Sequence, residues 1–358
     1  MNNYQNPNGQ FGGWGQNNTP YNTTNNFNYD EYYNEQYKKE QEKKNDKKVL
    51  RKAGNLFGIA IIAYIALSLI VSFVIGLIAR VIPSIYLLYE NSTANYAYSI
   101  VGSIIFIGVP FALVYLILKS KKISGILPFG TTFNRKAAVS LTMILIPVML
   151  LSSIVVNAVS LIIQGILGLE FTSGLEDLQV QGVGGFIVAT ISMAVVPAII
   201  EEFAIRGVVM QPLRRYGDKF AIIASALIFS IMHGNMAQIP YTVIGGIYLG
   251  YLAVATGSIW PSIILHFVNN MYSVLVMTAS SMFSEGVASV VTICILLSLI
   301  GVGIFGAILF SSMRYKTSLG MGVNTLKFGE KVNALFVNVP MIIAIIIMIG
   351  ITITSIES

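Results

Sequence analysis

The sequence is poor in the residues that most catalytic sites are built from. It has one cysteine, Cys294, and two histidines in 358 residues. A single thiol excludes an internal disulfide and any zinc site built on cysteines. Cys294 itself lies in an apolar run, where a thiol ordinarily packs. Charge is scarce too: Asp, Glu, Lys and Arg make up 11% of the chain, against a usual ~25%. That shortage, with 55% hydrophobic residues, argues against a soluble enzyme. Several apolar runs reach the roughly 20 residues needed to cross hydrocarbon. The expected fold is all-α, a polytopic transmembrane bundle of about eight or nine membrane helices. There is no HExxH metal motif and no repeated half. No charged-then-apolar leader opens the chain, so no cleaved signal peptide is expected.

Aliphatic residues are almost missing from residues 1–37, which are rich in Asn, Gln, Gly and Tyr. Such a stretch cannot bury enough apolar surface to offset its ordering entropy. Residues 38–52 form a dense run of both charges, suited to a solvated juxtamembrane segment that a helix could also form, or to anionic headgroups. Residues 1–52 are therefore expected to be a disordered cytoplasmic tail, and 53–357 the transmembrane bundle. Nine apolar spans follow, at about 54–82, 97–118, 137–167, 184–210, 220–233, 239–256, 259–278, 288–312 and 335–356. The fifth is short and the last is the weakest.

Basic residues are absent from alternate loops. Lys119, Lys121, Lys122, Arg135 and Lys136 lie between spans two and three. Arg214, Arg215 and Lys219 lie between four and five, and Arg314, Lys316, Lys327 and Lys331 precede the last. The loops at 86–96, 168–183 and 280–287 have none, and the second carries Glu170, Glu176 and Asp177. By the positive-inside rule the N-terminus is cytoplasmic and, with nine spans, the C-terminus external. The net charge of +6 reflects this loop bias and implies a lipid bilayer rather than nucleic acid as partner.

Against this apolar background stands Glu201-Glu202-Phe203-Ala204-Ile205-Arg206. A charge at bilayer depth costs about 2.5–3.5 kcal/mol on insertion scales, so such residues are usually paired and functional. A helix end at the membrane surface is the plainer explanation. Both histidines, however, also fall in spans: His233 in Phe229-Ser230-Ile231-Met232-His233, and His266 in His266-Phe267-Val268-Asn269-Asn270. A lone histidine on an apolar face is more often a packed, hydrogen-bonded residue. Two near an acidic pair favour function.

Helical spacing separates the roles. Glu202 and Arg206, at i and i+4, share a face and can form an ion pair. Glu201 is turned about 100° away with no local cation, leaving a carboxyl for proton transfer. His266 and Asn270 share a face as donors for a developing oxyanion. Phe229, one turn before His233, can wall the site, and Pro197 can kink span four. These parts suit acyl-bond hydrolysis by water activated by Glu201 and His233, with no serine or cysteine nucleophile. A Zn²⁺ held by Glu201 or Glu202, His233 and His266 is the alternative. The metal-free arrangement, with no cofactor, is preferred.

Depth is a difficulty. At 1.5 Å per residue, Glu201 lies about 26 Å from residue 184, and His233 about 20 Å from residue 220, so the two miss each other. The mismatch closes if helix four continues to about Leu213.

The three motifs resemble the CPBP family of CAAX-protease and bacteriocin-processing intramembrane proteases, whose pattern is EExxxR, then FxxxH, then HxxxN/D. That family also includes proteins labelled abortive-infection or bacteriocin-immunity. The resemblance covers about residues 184–278. It implies a membrane-embedded endopeptidase acting on membrane-associated or C-terminal peptides, with Glu201 and His233 activating water and His266 and Asn270 forming the oxyanion hole. It implies a multi-pass protein of the cell membrane. The sequence itself implies no prenylated substrate. Two other readings use the same residues: a catalytically silent scaffold or immunity protein, and a proton-coupled transporter. The missing internal repeat argues against the last.

Overall fold

The computed structural model describes residues 29–82, 84, 92–121, 134–172, 179–180, 182–313, 315–323 and 325–357. The tail expected to be disordered lies outside them up to position 28, as do Lys122, Glu176, Asp177 and Arg314. The chain divides into Met1–Glu42 and Lys43–Ser358.

Helix α1 spans Tyr29–Val81, so residues 29–52 are helical rather than disordered. The reason is local. Asp30 and Glu31 occupy the first turn, where the helix dipole favours acids. A run of Glu, Gln and Lys follows, all good helix formers, and Glu35 and Lys39 pair at i, i+4.

Within Lys43–Ser358 the elements are nearly all helical. Helix α2 runs through Ser92–Gly102, a π-helical Ser103–Gly108 and Val109–Ser120. Helix α3 is Arg135–Leu167, and α4 is the composite run Gly182–Tyr216. Then come α5 (Asp218–Ile231), α6 (Ile239–Thr256), α7 (Trp260–Met282), α8 (Glu285–Ser311), α9 (Phe328–Phe336) and α10 (Val339–Ile353). Seven of these, α1 to α4 and α6 to α8, are long and apolar enough to cross a membrane. The pair α9 and α10, bent by 76°, makes an eighth if counted as one span. Helix α5, with 14 residues, is too short for that count; it is packed among its neighbours.

Two polar clusters mark opposite ends of α5. Near its start, Asp46 accepts from Arg215 Nη2 at 2.8 Å and Thr325 Oγ1 at 2.6 Å, and its carbonyl accepts from the Tyr216 hydroxyl at 3.0 Å. Gly217, at φ 113°, makes the tight turn from α4 into α5. Beyond the end of α5, Asn235 donates to the Thr172 carbonyl and Met236 N–H to Ser355 Oγ. A two-residue antiparallel pairing of Glu170–Phe171 with Ile356–Glu357 joins the same cluster. The main core lies between: Phe57, Ile61 and Ile65 of α1 pack with Ile205, Val208 and Val209 of α4, Ile228 of α5 and Met341 of α10.

Three prolines explain the winding of α2 and α4. A proline has no N–H, and its ring meets the carbonyl four residues back. Pro110, Pro197 and Pro212 each follow a π-helical stretch: Ser103–Gly108, Ile191–Val195 and Phe203–Val209. There the N–H groups of Val109, Val196 and Met210 reach five residues back, to Ile104, Ile191 and Ile205. The wider turn absorbs each proline. In α4 two such turns bracket Glu201 and Glu202, a placement typical of functional sites.

Helix α6 meets α5 at Gly246, where a Cβ would lie 3.0 Å from the Ala226 Cβ and 3.4 Å from Phe229 Cδ1. Gly246→Leu is therefore expected to separate α5 from α6, costing roughly 1–3 kcal/mol as overpacking does. Thermal unfolding in detergent reads this as a lowered midpoint. Gly286→Leu, where a Cβ meets nothing within 4 Å, is the control and should not shift it.

Candidate functional site

Helix α4 runs past residue 210 to Leu213 and then a 3₁₀ turn to Tyr216. Glu201 is the twentieth of the 35 residues in that run, which places it near the middle. His233 is not inside α5 but in the turn just past Ile231. The expected depth mismatch closes through the extension of α4.

Glu201, Phe229, His233, His266 and Asn270 all line one cavity of about 290 Å³. Glu202 and Arg206 stand directly behind it, both with fully buried side chains. Arg206 Nη1 donates to Glu202 Oε1 at 2.7 Å and Nη2 to the Gly246 carbonyl at 3.0 Å. The guanidinium stacks 4.7 Å from the centre of the Phe229 ring, a cation–π contact inside the bundle. Phe229 also meets His233 and His266 edge-on, at 4.7 and 6.0 Å between ring centres. It walls the site and orients three of its members at once.

The two histidines are held differently. His233 Nδ1 lies 2.9 Å from the Phe229 carbonyl. A carbonyl only accepts, so Nδ1 carries the proton and Nε2 keeps its lone pair in the neutral ring. His266 Nδ1 lies 3.0 Å from Glu202 Oε1, and its Nε2 lies 3.9 Å from Glu201 Oε2. Glu202 thus holds both Arg206 and His266 on one oxygen. The two glutamates are not equivalent: the Glu201 side chain is 19% exposed, Glu202 not at all.

Asn270 is committed in a way that its spacing from His266 does not reveal. Its Nδ2 donates to the Met193 carbonyl at 2.9 Å. That carbonyl lies four residues before Pro197, whose missing N–H leaves it without the usual helical partner. An amide NH₂ has two hydrogens, so a second donor remains. Asn269 Nδ2 reaches Asn270 Oδ1 at 3.2 Å and fixes which way the amide points.

Sequence spacing missed several groups that line these walls. Asn269 adjoins a motif residue, and that adjacency was its only signal. Ser192, buried with no partner for its hydroxyl, and Tyr241 line the same cavity. Ser192 is out of i, i+4 register with Glu201, and only the π-helical turn brings it round.

A metal does not fit these side chains as they stand. Among the described residues no three His, Cys, Asp or Glu side chains group as ligands. Glu202, one member of the alternative set, already gives Oε1 to Arg206 and His266. The set Glu201, Glu202, His233 and His266 is therefore not assembled for zinc, whose ligands stand about 2.0–2.2 Å from the ion.

In comparisons with known proteins, residues 183–272 match the family model described as type II CAAX prenyl endopeptidase, Rce1-like. No curated protein and no solved structure matches the chain.

Proposed function

From a chain whose residues 183–272 carry an Rce1-like CAAX endopeptidase domain, consistent with the CPBP family, we propose an intramembrane endopeptidase that uses Glu201 and His233 to activate water. The observation that carries this reading is the asymmetry of the acidic pair. Glu202 is buried with its Oε1 held by Arg206 and His266, while Glu201 opens on the cavity that His233 also lines.

The chemistry follows from the hydrogen-bond pattern. A water can donate one O–H to the Glu201 carboxylate and the other to His233 Nε2, which turns its lone pair towards a bound peptide carbonyl. Its oxygen bonds to the carbonyl carbon as one proton passes to Glu201. The oxyanion takes the free N–H of Asn270 and, with both its nitrogens protonated, Nε2–H of His266. The C–N bond then breaks, the Glu201 proton goes to the leaving amine, and a carboxyl and an amine remain.

When Glu201 takes the water's proton, the oxyanion gains the charge that Glu201 loses, so the step leaves the net charge of the site unchanged. The Lys- and Arg-rich loops favour a cytoplasmic N-terminus in the cell membrane. The family model takes its name from prenylated substrates; no residue of this chain argues for one.

The test is cleavage of a peptide library by the purified protein in proteoliposomes, with products identified by mass. Discrete cleavage is expected, and a zinc chelator should change the rate by no more than about twofold, since no metal ligand set is used. Loss of activity on chelation, restored only by added metal, overturns the metal-free mechanism. No cleavage of any peptide leaves a silent scaffold as the reading.

A further inference from the structure

Away from the acidic pair, α3 and the first turn of α7 enclose a hollow of about 430 Å³. On α3 its wall is one stripe: Arg135, Ala138, Val139, Thr142, Met143 and Ile146. That is the i, i+3, i+4, i+7 spacing of a single helix face. Trp260, Pro261 and Ile264 of α7 form the other side. Val139, Trp260 and Ile264 are each more than half exposed, so the hollow is a groove open on the side of the bundle. Its one hydroxyl, Thr142 Oγ1, donates to the Ala138 carbonyl at 2.8 Å. Below Arg135 and Trp260 the side chains of the wall therefore offer a ligand apolar surface alone.

We propose that this groove binds one anionic phospholipid, with an acyl chain along the stripe and the phosphate at Arg135 and Lys136. Length argues for the chain. From Arg135 to Ile146 the stripe rises about 16 Å, and one leaflet is half of a hydrocarbon core roughly 30 Å thick. Beyond Ile146 the same face is closed, because Met149 and Leu150 are buried in the bundle. A membrane helix of a partner would need a face that runs across the whole span. A chain from one leaflet needs only the half that this groove provides.

Charge sets the headgroup. Arg135 and Lys136 are exposed in the first turn of α3 and make no ion pair among the described residues. No acidic residue lines the groove. Asn134 already caps the helix, its side chain accepting from Ala137 N–H at 3.1 Å, so the two cations rather than the helix end meet the phosphate. Trp260 opens α7 as Arg135 opens α3, and an indole ring at that level suits a membrane interface. Basic loops mark the cytoplasmic side, whose leaflet carries the anionic lipids. The inference concerns how the bundle sits in lipid and stands whether or not the chain cuts peptides.

The test titrates the purified protein in detergent with dioleoylphosphatidylglycerol or dioleoylphosphatidylcholine and counts retained lipid by native mass spectrometry. Phosphatidylglycerol should be retained, one per chain, at a concentration about tenfold or more below that needed for phosphatidylcholine. The double variant Arg135→Gln, Lys136→Gln should erase that preference. Val139→Trp, at an exposed position on the groove wall, should weaken both lipids by obstructing the chain. Lys316→Gln, on another basic loop, should change neither. Inorganic phosphate at equal concentration should not displace the lipid, since it lacks the chain. Thermal unfolding checks the fold of each variant. Equal retention of the two lipids by the wild type, or displacement by phosphate, overturns the site. So does wild-type binding by the double variant or by Val139→Trp. A loss in Lys316→Gln as large as in the double variant means general attraction to basic loops and overturns it too.

Discussion

Glu201→Gln is expected to lower kcat by about three orders of magnitude, within the 10²–10⁴-fold range of general-base removal. The substitution keeps the side chain's volume and one acceptor oxygen. It removes the charge that draws a proton from water. Little else should change, because His266 Nε2 stands 3.9 Å from the Glu201 carboxylate, beyond hydrogen-bond distance. The unfolding midpoint and KM are therefore expected to stay near wild type while turnover falls. That split separates Glu201 from its neighbour. Glu202→Gln would loosen both Arg206 and His266, so stability and rate should fall together. His233→Ala should resemble Glu201→Gln in rate. Turnover by Glu201→Gln within a few-fold of wild type, about 1 kcal/mol or less in barrier, would sink the glutamate mechanism.

Arg206→Met is expected to be the most damaging single change to stability, by about 3–5 kcal/mol, the usual cost of leaving a buried ion without its partner. Glu202 and Arg206 are both fully buried. Arg206 also braces Phe229 through its guanidinium face and binds the Gly246 carbonyl. Its loss leaves the buried Glu202 carboxylate with His266 as its one hydrogen-bond partner among the described residues. The double variant Arg206→Met, Glu202→Leu removes both charges and should recover much of the stability. It should not recover activity, since His266 would lose the carboxylate that holds its Nδ1. Unfolding curves in detergent, read beside peptide cleavage, check both halves. A single variant as stable as the wild type would mean that the ion pair does not hold this part of the bundle together.

Much of this arrangement was legible before any coordinates. The 11% charge content and the long apolar runs point to a membrane bundle, because hydrocarbon tolerates only backbone that bonds to itself. The i, i+4 spacing of Glu202 and Arg206 predicts their ion pair, since that geometry belongs to a single helix. The extension of α4 to Leu213 follows from the depth Glu201 needs. The disorder that poverty in aliphatic residues predicts for 1–37 does not hold from position 29, where Glu, Gln and Lys are good helix formers and α1 begins.

What the sequence by itself determined is whatever one helix can decide: which residues share a face, which carboxylate meets an arginine, and that two histidines fall in membrane spans. Only the tertiary structure decided which histidine each glutamate meets. The spacing argument paired Glu201 with His233 and His266 with Asn270. In the fold, Glu202 backs His266, Asn270 answers a carbonyl that Pro197 leaves open, and Tyr64 of the distant first helix lines a cavity with Glu201 and His233. Those contacts depend on how closely α1, α4 and α7 approach and on π-helical turns that rotate Ser192 out of its expected register. Approach and rotation are set by packing between helices, and no periodicity within a helix encodes them.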